Sequence, residues 1–127
     1  MKRIGILPNP TKPEAGEVAL QTARWLLMHD AIPLLPDELL SRWEVEESIF
    51  ILPGDRIALE SEALIALGGD GTILNLVRLP GFDRIPILAV NLGGLGFMTE
   101  IKRDEIEEAL EDLMSGRFSL DLSLIHI

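Results

Sequence analysis

Apolar residues in this chain fall into short unbroken runs, separated by longer stretches with three- and four-residue periodicity. Ile4, Ile6 and Leu7 surround a glycine and stop at Pro8-Asn9-Pro10, so Arg3–Leu7 reads as a buried strand. From Glu14 to about His29, Ala19, Leu20, Ala23, Leu26 and Leu27 recur at helical spacing. Ile32–Leu35 reads as a second strand, and Pro36-Asp37 as the opening of a short helix running through Leu40 towards Trp43. Glu44–Glu62 fits neither period, and Pro53-Gly54-Asp55 within it reads as a turn. Ala63–Leu67 is an unbroken apolar run, hence a strand, and Thr72 to Leu79 a helix stopped by Pro80-Gly81. Ile85–Val90 is another strand, with Pro86 near its start, where proline is tolerated. Asp104–Met114 is an amphipathic helix ended by Gly116. Its Ile106, Leu110, Leu113 and Met114 face inward, and Glu105, Glu107, Glu108 and Glu111 face water.

Strands that are apolar along their whole length and alternate with helices predict an α/β fold: an open parallel, Rossmann-like sheet with helices on both faces. The 127 residues suit one such domain. The chain has no cysteine, which removes disulfides and thiolate chemistry and agrees with a cytoplasmic setting. Pro8 interrupts the first apolar run, and no run approaches the ~18 residues of a membrane span, so no membrane association is expected. Net charge is −10 and no Lys/Arg run exceeds two residues, which argues against nucleic acid as a partner. An anionic small molecule would have to be held by backbone N–H groups and a few local cations.

Candidate chemistry concentrates in two glycine-rich segments, each directly after a strand. Gly68-Gly69-Asp70-Gly71-Thr72 sets one carboxylate among three glycines. Asn91-Leu92-Gly93-Gly94-Leu95-Gly96-Phe97-Met98-Thr99-Glu100 is the second. In an open α/β sheet ligands bind outside the carboxyl ends of the strands, and both segments belong to that edge. Backbone amides and a helix N-terminus after Thr72 would suit phosphate. Neither segment is a Walker P-loop or a G-x-G-x-x-G fingerprint. A plainer reading treats both as tight strand-to-helix turns, with Asp70 or Thr72 capping the helix.

Taken with Asn9-Pro10-Thr11-Lys12-Pro13-Glu14-Ala15, the two segments resemble the N-terminal part of NAD kinase, from about Lys2 to Asp121. Diacylglycerol- and sphingosine-type lipid kinases and phosphofructokinases share the Gly-Gly-Asp-Gly motif; the second segment is far more specific. The resemblance implies phosphorylation of the 2′-hydroxyl of the adenosine ribose of NAD, giving NADP, with ATP or another phosphoryl donor and a divalent metal (Mg). It implies a catalytic role for Asp70 as proton acceptor. It also implies NAD contacts for Asp70, Gly71, Thr72, Asn91 and Phe97, and a homo-oligomeric parent. Phe97 would wall the adenine or serve the core. Many relatives carry a basic residue where this chain has Asn75. Arg78, one helical turn on, would stand in for it or lie in solvent; Lys12 would touch phosphate or be a solvated loop lysine. No metal-ligand set is expected from the chain's own residues, since His29 and His126 lack metal-site spacing. His29 suits a helix C-terminus, and Trp25 and Trp43 packing.

Family members are far longer, and the β-rich C-terminal domain that completes their dinucleotide pocket has no counterpart here. Residues 1–121 are therefore expected to be the N-terminal α/β domain, and the chain alone to be inactive. Leu122-Ser123-Leu124-Ile125-His126-Ile127 resembles the translation of a transposase end sequence used to tag sequencing libraries, so residues 122–127 are expected to be a non-native tail. The rival functions are a lipid or other small-alcohol kinase sharing only the first motif, and a non-catalytic nucleotide-binding module.

Overall fold

The computed structural model describes residues 2–9, 13–37, 49–68, 76, 78–92, 101–102 and 106–115. Strand β1 (Lys2–Pro8) leads to helix α1 (Pro13–Met28) and strand β2 (Ala31–Pro36). Strand β3 (Phe50–Leu52), helix α2 (Gly54–Glu60) and strand β4 (Ala63–Gly68) follow. A 3-10 turn (Phe82–Arg84), strand β5 (Ile87–Asn91), strand β6 (Ile101–Lys102) and helix α3 (Ile106–Ser115) follow these. The six strands form one parallel sheet in the order β3-β2-β1-β4-β5-β6. The expected α/β class and parallel sheet are therefore what the chain adopts.

Strand alternation sorts the core into two layers. Ile4, Ile6, Ala63, Ile65, Leu67, Leu88 and Val90 share one face with Ala15, Val18, Ala19, Ala23 and Leu26 of α1 and Ile106 and Leu110 of α3. Leu64, Ala66, Ile87 and Ala89 share the other with Ile57 and Ala58 of α2 and with Leu76. Both faces of the central strands are thus buried, which is why those strands read as continuous apolar runs. Each fully buried Leu or Ile contributes about 1.5–3 kcal/mol relative to exposure. Helix α1 stops where Asp30 takes a left-handed φ of 61°. There the His29 N–H bonds the Leu26 carbonyl at 3.0 Å, and His29 Nδ1 donates to the Trp25 carbonyl at 2.8 Å. The imidazole also stacks on the Trp25 ring, with centroids 3.7 Å apart.

Three local expectations change. Pro53-Gly54-Asp55 is the start of α2, with Pro53 at the N-cap position, and not a free turn. Pro36 still belongs to β2, and helical backbone begins at Asp37, one residue later than expected. Strand β5 begins at Ile87, after Pro86, whose carbonyl accepts the Leu64 N–H at 3.0 Å. Proline has no N–H to give a ladder, so it sits just outside the strand. Of the helix expected from Thr72, Leu76 is described and helical, and turns follow from Arg78. The remainder of that helix, the helix towards Trp43, the segment 93–100 and the tail 122–127 lie outside the described residues. Among the described residues no helix is long and apolar enough to cross a membrane.

Candidate functional site

The sheet order changes direction once. From β1 the chain adds β2 and β3 on one side, then returns to place β4, β5 and β6 on the other. That reversal lies between β1 and β4, and a crevice outside the carboxyl ends at such a point is where open α/β sheets take ligands. The carboxyl ends flanking it are fixed by backbone bonds. The N–H of Asn9, just beyond β1, donates to the Leu67 carbonyl of β4 at 2.8 Å. The N–H of Leu92, just beyond β5, donates to the Gly68 carbonyl at 2.9 Å. Gly68 is also the register partner of Asn91. The two glycine-rich segments therefore leave the sheet side by side, and the Asn9 loop leaves it across the crevice.

Of the expected site residues, Asn91 is placed as the last residue of β5. Arg78 lies exposed in the turns after Leu76. Asp70, Gly71, Thr72, Phe97 and Lys12 lie outside the described residues. Among the described residues no group of three or more His, Cys, Asp or Glu could hold a metal ion. A groove lined by Val18, Thr22, Trp25, Ile106 and Leu110 runs between α1 and α3; it shares no residue with the carboxyl edge.

The structure gives Asn9, which opens the Asn9–Ala15 segment of the resemblance, a backbone link from β1 to β4. It also adds one residue at this edge that the sequence did not single out. Lys102 ends β6 and is the register partner of Asn91. A two-residue strand carries no periodicity, so its place in the sheet had no signature in the sequence.

Residues 54–118, just over half the chain and spanning both glycine-rich segments, match the family described as the ATP-NAD kinase N-terminal domain. NAD kinase of Thermoanaerobacter sp. (strain X514) is 39% identical over 121 residues, covering 95% of this chain and 42% of the relative. NAD kinase of Caldanaerobacter subterraneus subsp. tengcongensis is 41% identical over 121 residues, with the same coverage. The crystal structure of yeast NADH kinase complexed with NADH superposes with a TM-score of 0.74 at 22% identity, covering 92% of this chain and 39% of that one. The chain thus spans about two-fifths of the length of the curated relatives it matches. A switch-point crevice flanked by Gly68, whose register partner is Asn91, on the fold of the yeast enzyme and within a matched stretch of this extent, assigns the chain to the NAD kinase family through its ATP-NAD kinase N-terminal domain.

Proposed function

We propose that the protein built on this domain phosphorylates the 2′-hydroxyl of the adenosine ribose of NAD to give NADP, with ATP or another phosphoryl donor. The observation that carries this reading is the pairing of Gly68 with Asn91 beside the switch point, which starts both glycine-rich segments from neighbouring strand ends. Two peptide units separate Gly68 from Asp70, so covalent geometry alone keeps their Cα atoms within about 7.6 Å. That proximity supports a role for Asp70 at this crevice. The relatives' name, NAD kinase, supplies the substrate class.

Phosphoryl transfer passes through a loose transition state, so the protein contributes mainly position and charge stabilisation. A ribose hydroxyl is a poor acid, and a carboxylate of ordinary pKa, ~3.9, is a weak base for it. Asp70 would orient the hydroxyl first and accept its proton as the O–P bond forms. Gly71 and Thr72 would lie against the dinucleotide, with Asn91 and Phe97 lining its pocket. Lys12 and Arg78 are candidates for phosphate contact. Magnesium would enter on the donor's phosphates, the usual way this ion is held in kinases. The reading extends to a cytoplasmic setting and a homo-oligomeric whole protein, which light scattering on that protein checks.

The test joins residues 1–121 to the C-terminal part of the Caldanaerobacter relative. The joined protein is expected to form NADP from NAD and Mg-ATP, and the 127-residue chain alone to form none. Asp70→Asn in the joined protein should cost about 10²–10⁴-fold in kcat while leaving the circular dichroism unchanged. Near-normal turnover of that variant removes Asp70 as the base. A folded joined protein that phosphorylates a lipid hydroxyl and ignores NAD would move the domain to the lipid-kinase class.

A further inference from the structure

Both glycine-rich segments are entered through the same three residue types, Leu67-Gly68-Gly69 and Leu92-Gly93-Gly94. Two successive glycines have no side chain to pack, so the leucine before them is the last residue that can tie the root of each segment to the core. Both leucines do so. Leu67 is fully buried and Leu92 is 7% exposed, and both belong to the core layer formed with α1 and α3. Leu92 lies two residues beyond Val90, the register partner of Leu67. Strand alternation therefore keeps it on that face although β5 ends at Asn91. Its backbone is tied as well, because the Leu92 N–H donates to the Gly68 carbonyl at 2.9 Å. Leu92 thus joins the two segments at their roots: the core holds its side chain, and the residue that opens the first segment holds its N–H.

We infer that Leu92 is a positioning residue, fixing where the second glycine-rich segment leaves the sheet relative to the first. Its role rests on the proposed NAD-phosphorylating function, in which Asp70 on the first segment meets a ribose hydroxyl of the dinucleotide that the second segment lines. Truncation to alanine empties space beneath the root of the second segment, and a protein interior relaxes only partly into such a cavity. The backbone at position 92 is then free to shift, and the bond to the Gly68 carbonyl shifts with it. Leu88 supplies the contrast. It lies on the same face near the amino end of β5, buried to 1% in the same layer but remote from the carboxyl edge.

The experiment compares Leu92→Ala with Leu88→Ala in the joined protein, assayed well below both unfolding midpoints. Leu92→Ala should lower kcat for NADP formation by about tenfold to a hundredfold, the cost of misplacing reacting groups by roughly 1 Å. Leu88→Ala should lose stability and keep kcat near native. Leu92→Met, which nearly conserves volume, should restore kcat. In the ¹⁵N-labelled 127-residue chain, Leu92→Ala should shift the amides of Gly68, Gly69 and Asp70, and Leu88→Ala should leave them near their native positions. If Leu92→Ala does not fold, Leu92→Val against Leu88→Val carries the same comparison with a smaller loss of kcat. Equal kcat in the paired variants, or Gly68–Asp70 amides that ignore position 92, overturns the inference while NADP formation by the native joined protein leaves the proposed function standing. A native joined protein that makes no NADP, in a chain whose Gly68–Asp70 amides respond to position 92 and not to position 88, removes the proposed function and keeps Leu92 as the tie between the segments.

Discussion

A Cβ added at Gly5 would sit 2.6 Å from Ile57 Cγ2, 2.6 Å from Ser61 Oγ and 2.7 Å from Leu64 Cδ2. Real side chains do not approach so closely, so α2 rests on β1 only because position 5 has no side chain. Gly5→Ala should cost about 1–3 kcal/mol, the usual size of overpacking a tight core. Urea denaturation should show it as a lower midpoint at unchanged m. A loss inside the scatter of the measurement would mean that α2 shifts freely. A glycine inside an apolar run does signal that something approaches the backbone, and that much was legible at Gly5. What approaches is set by the crossover from β3 to β4, which no local pattern encodes. Asp30 offers the converse case. Its φ of 61° is open to Gly, Asn and Asp but costs a β-branched residue about 1–2 kcal/mol. Thermal unfolding should therefore place Asp30→Val below the native chain and Asp30→Gly at or above it.

Among the elements, legibility follows length. Helix α1 has 16 residues and α3 has 10, enough turns for a buried stripe to declare itself, and both were expected close to where they lie. Helix α2 has seven residues and opens with Pro53-Gly54, so its sequence reads as a turn. Burial of Ile57 and Ala58 against the second face of the sheet holds it as a helix, and the Ser61 hydroxyl donates to the Ile57 carbonyl at 2.5 Å near its end. The exposed Arg56–Glu60 pair, at 2.8 Å and four residues apart, adds little by comparison. Ile57→Ala should cost about 2–5 kcal/mol and Glu60→Gln less than about 1 kcal/mol, the smaller loss fading with salt. If the two losses proved equal in chemical denaturation, α2 would be held by its surface charges and not by its buried face. Strands β3 and β6 fall below the length at which alternation can be read. Lys102 went unnoticed for that reason, whereas the strands ending at Gly68 and Asn91 were plain.

At the scale of the whole molecule, the parallel sheet was legible from strands apolar on both faces, but strand order was not. Ala63–Leu67 and Ile87–Val90 each say that they are buried and nothing about which strand lies beside them. The order arises from where the helices between strands pack: α1 on one face, α2 and Leu76 on the other. That two-sided packing puts the reversal between β1 and β4 and so places the candidate site. The same order predicts a gradient of local stability. Strands β1, β4 and β5 are paired on both sides and buried on both faces, while β3 and β6 are edges of three and two residues. Opening an interior strand breaks two ladders and exposes both core layers; opening an edge breaks one ladder. Native-state hydrogen exchange should therefore find the slowest amides at Ile6, Ile65 and Leu88, exchanging only through global unfolding. The amides of Ile51 and Lys102 should exchange through local opening of far lower free energy. Equal protection at Ile51 and Ile65 would contradict this gradient. It would mean that β3 is covered by further structure and that the reversal at β1 and β4 is not the stable centre from which the binding loops emerge.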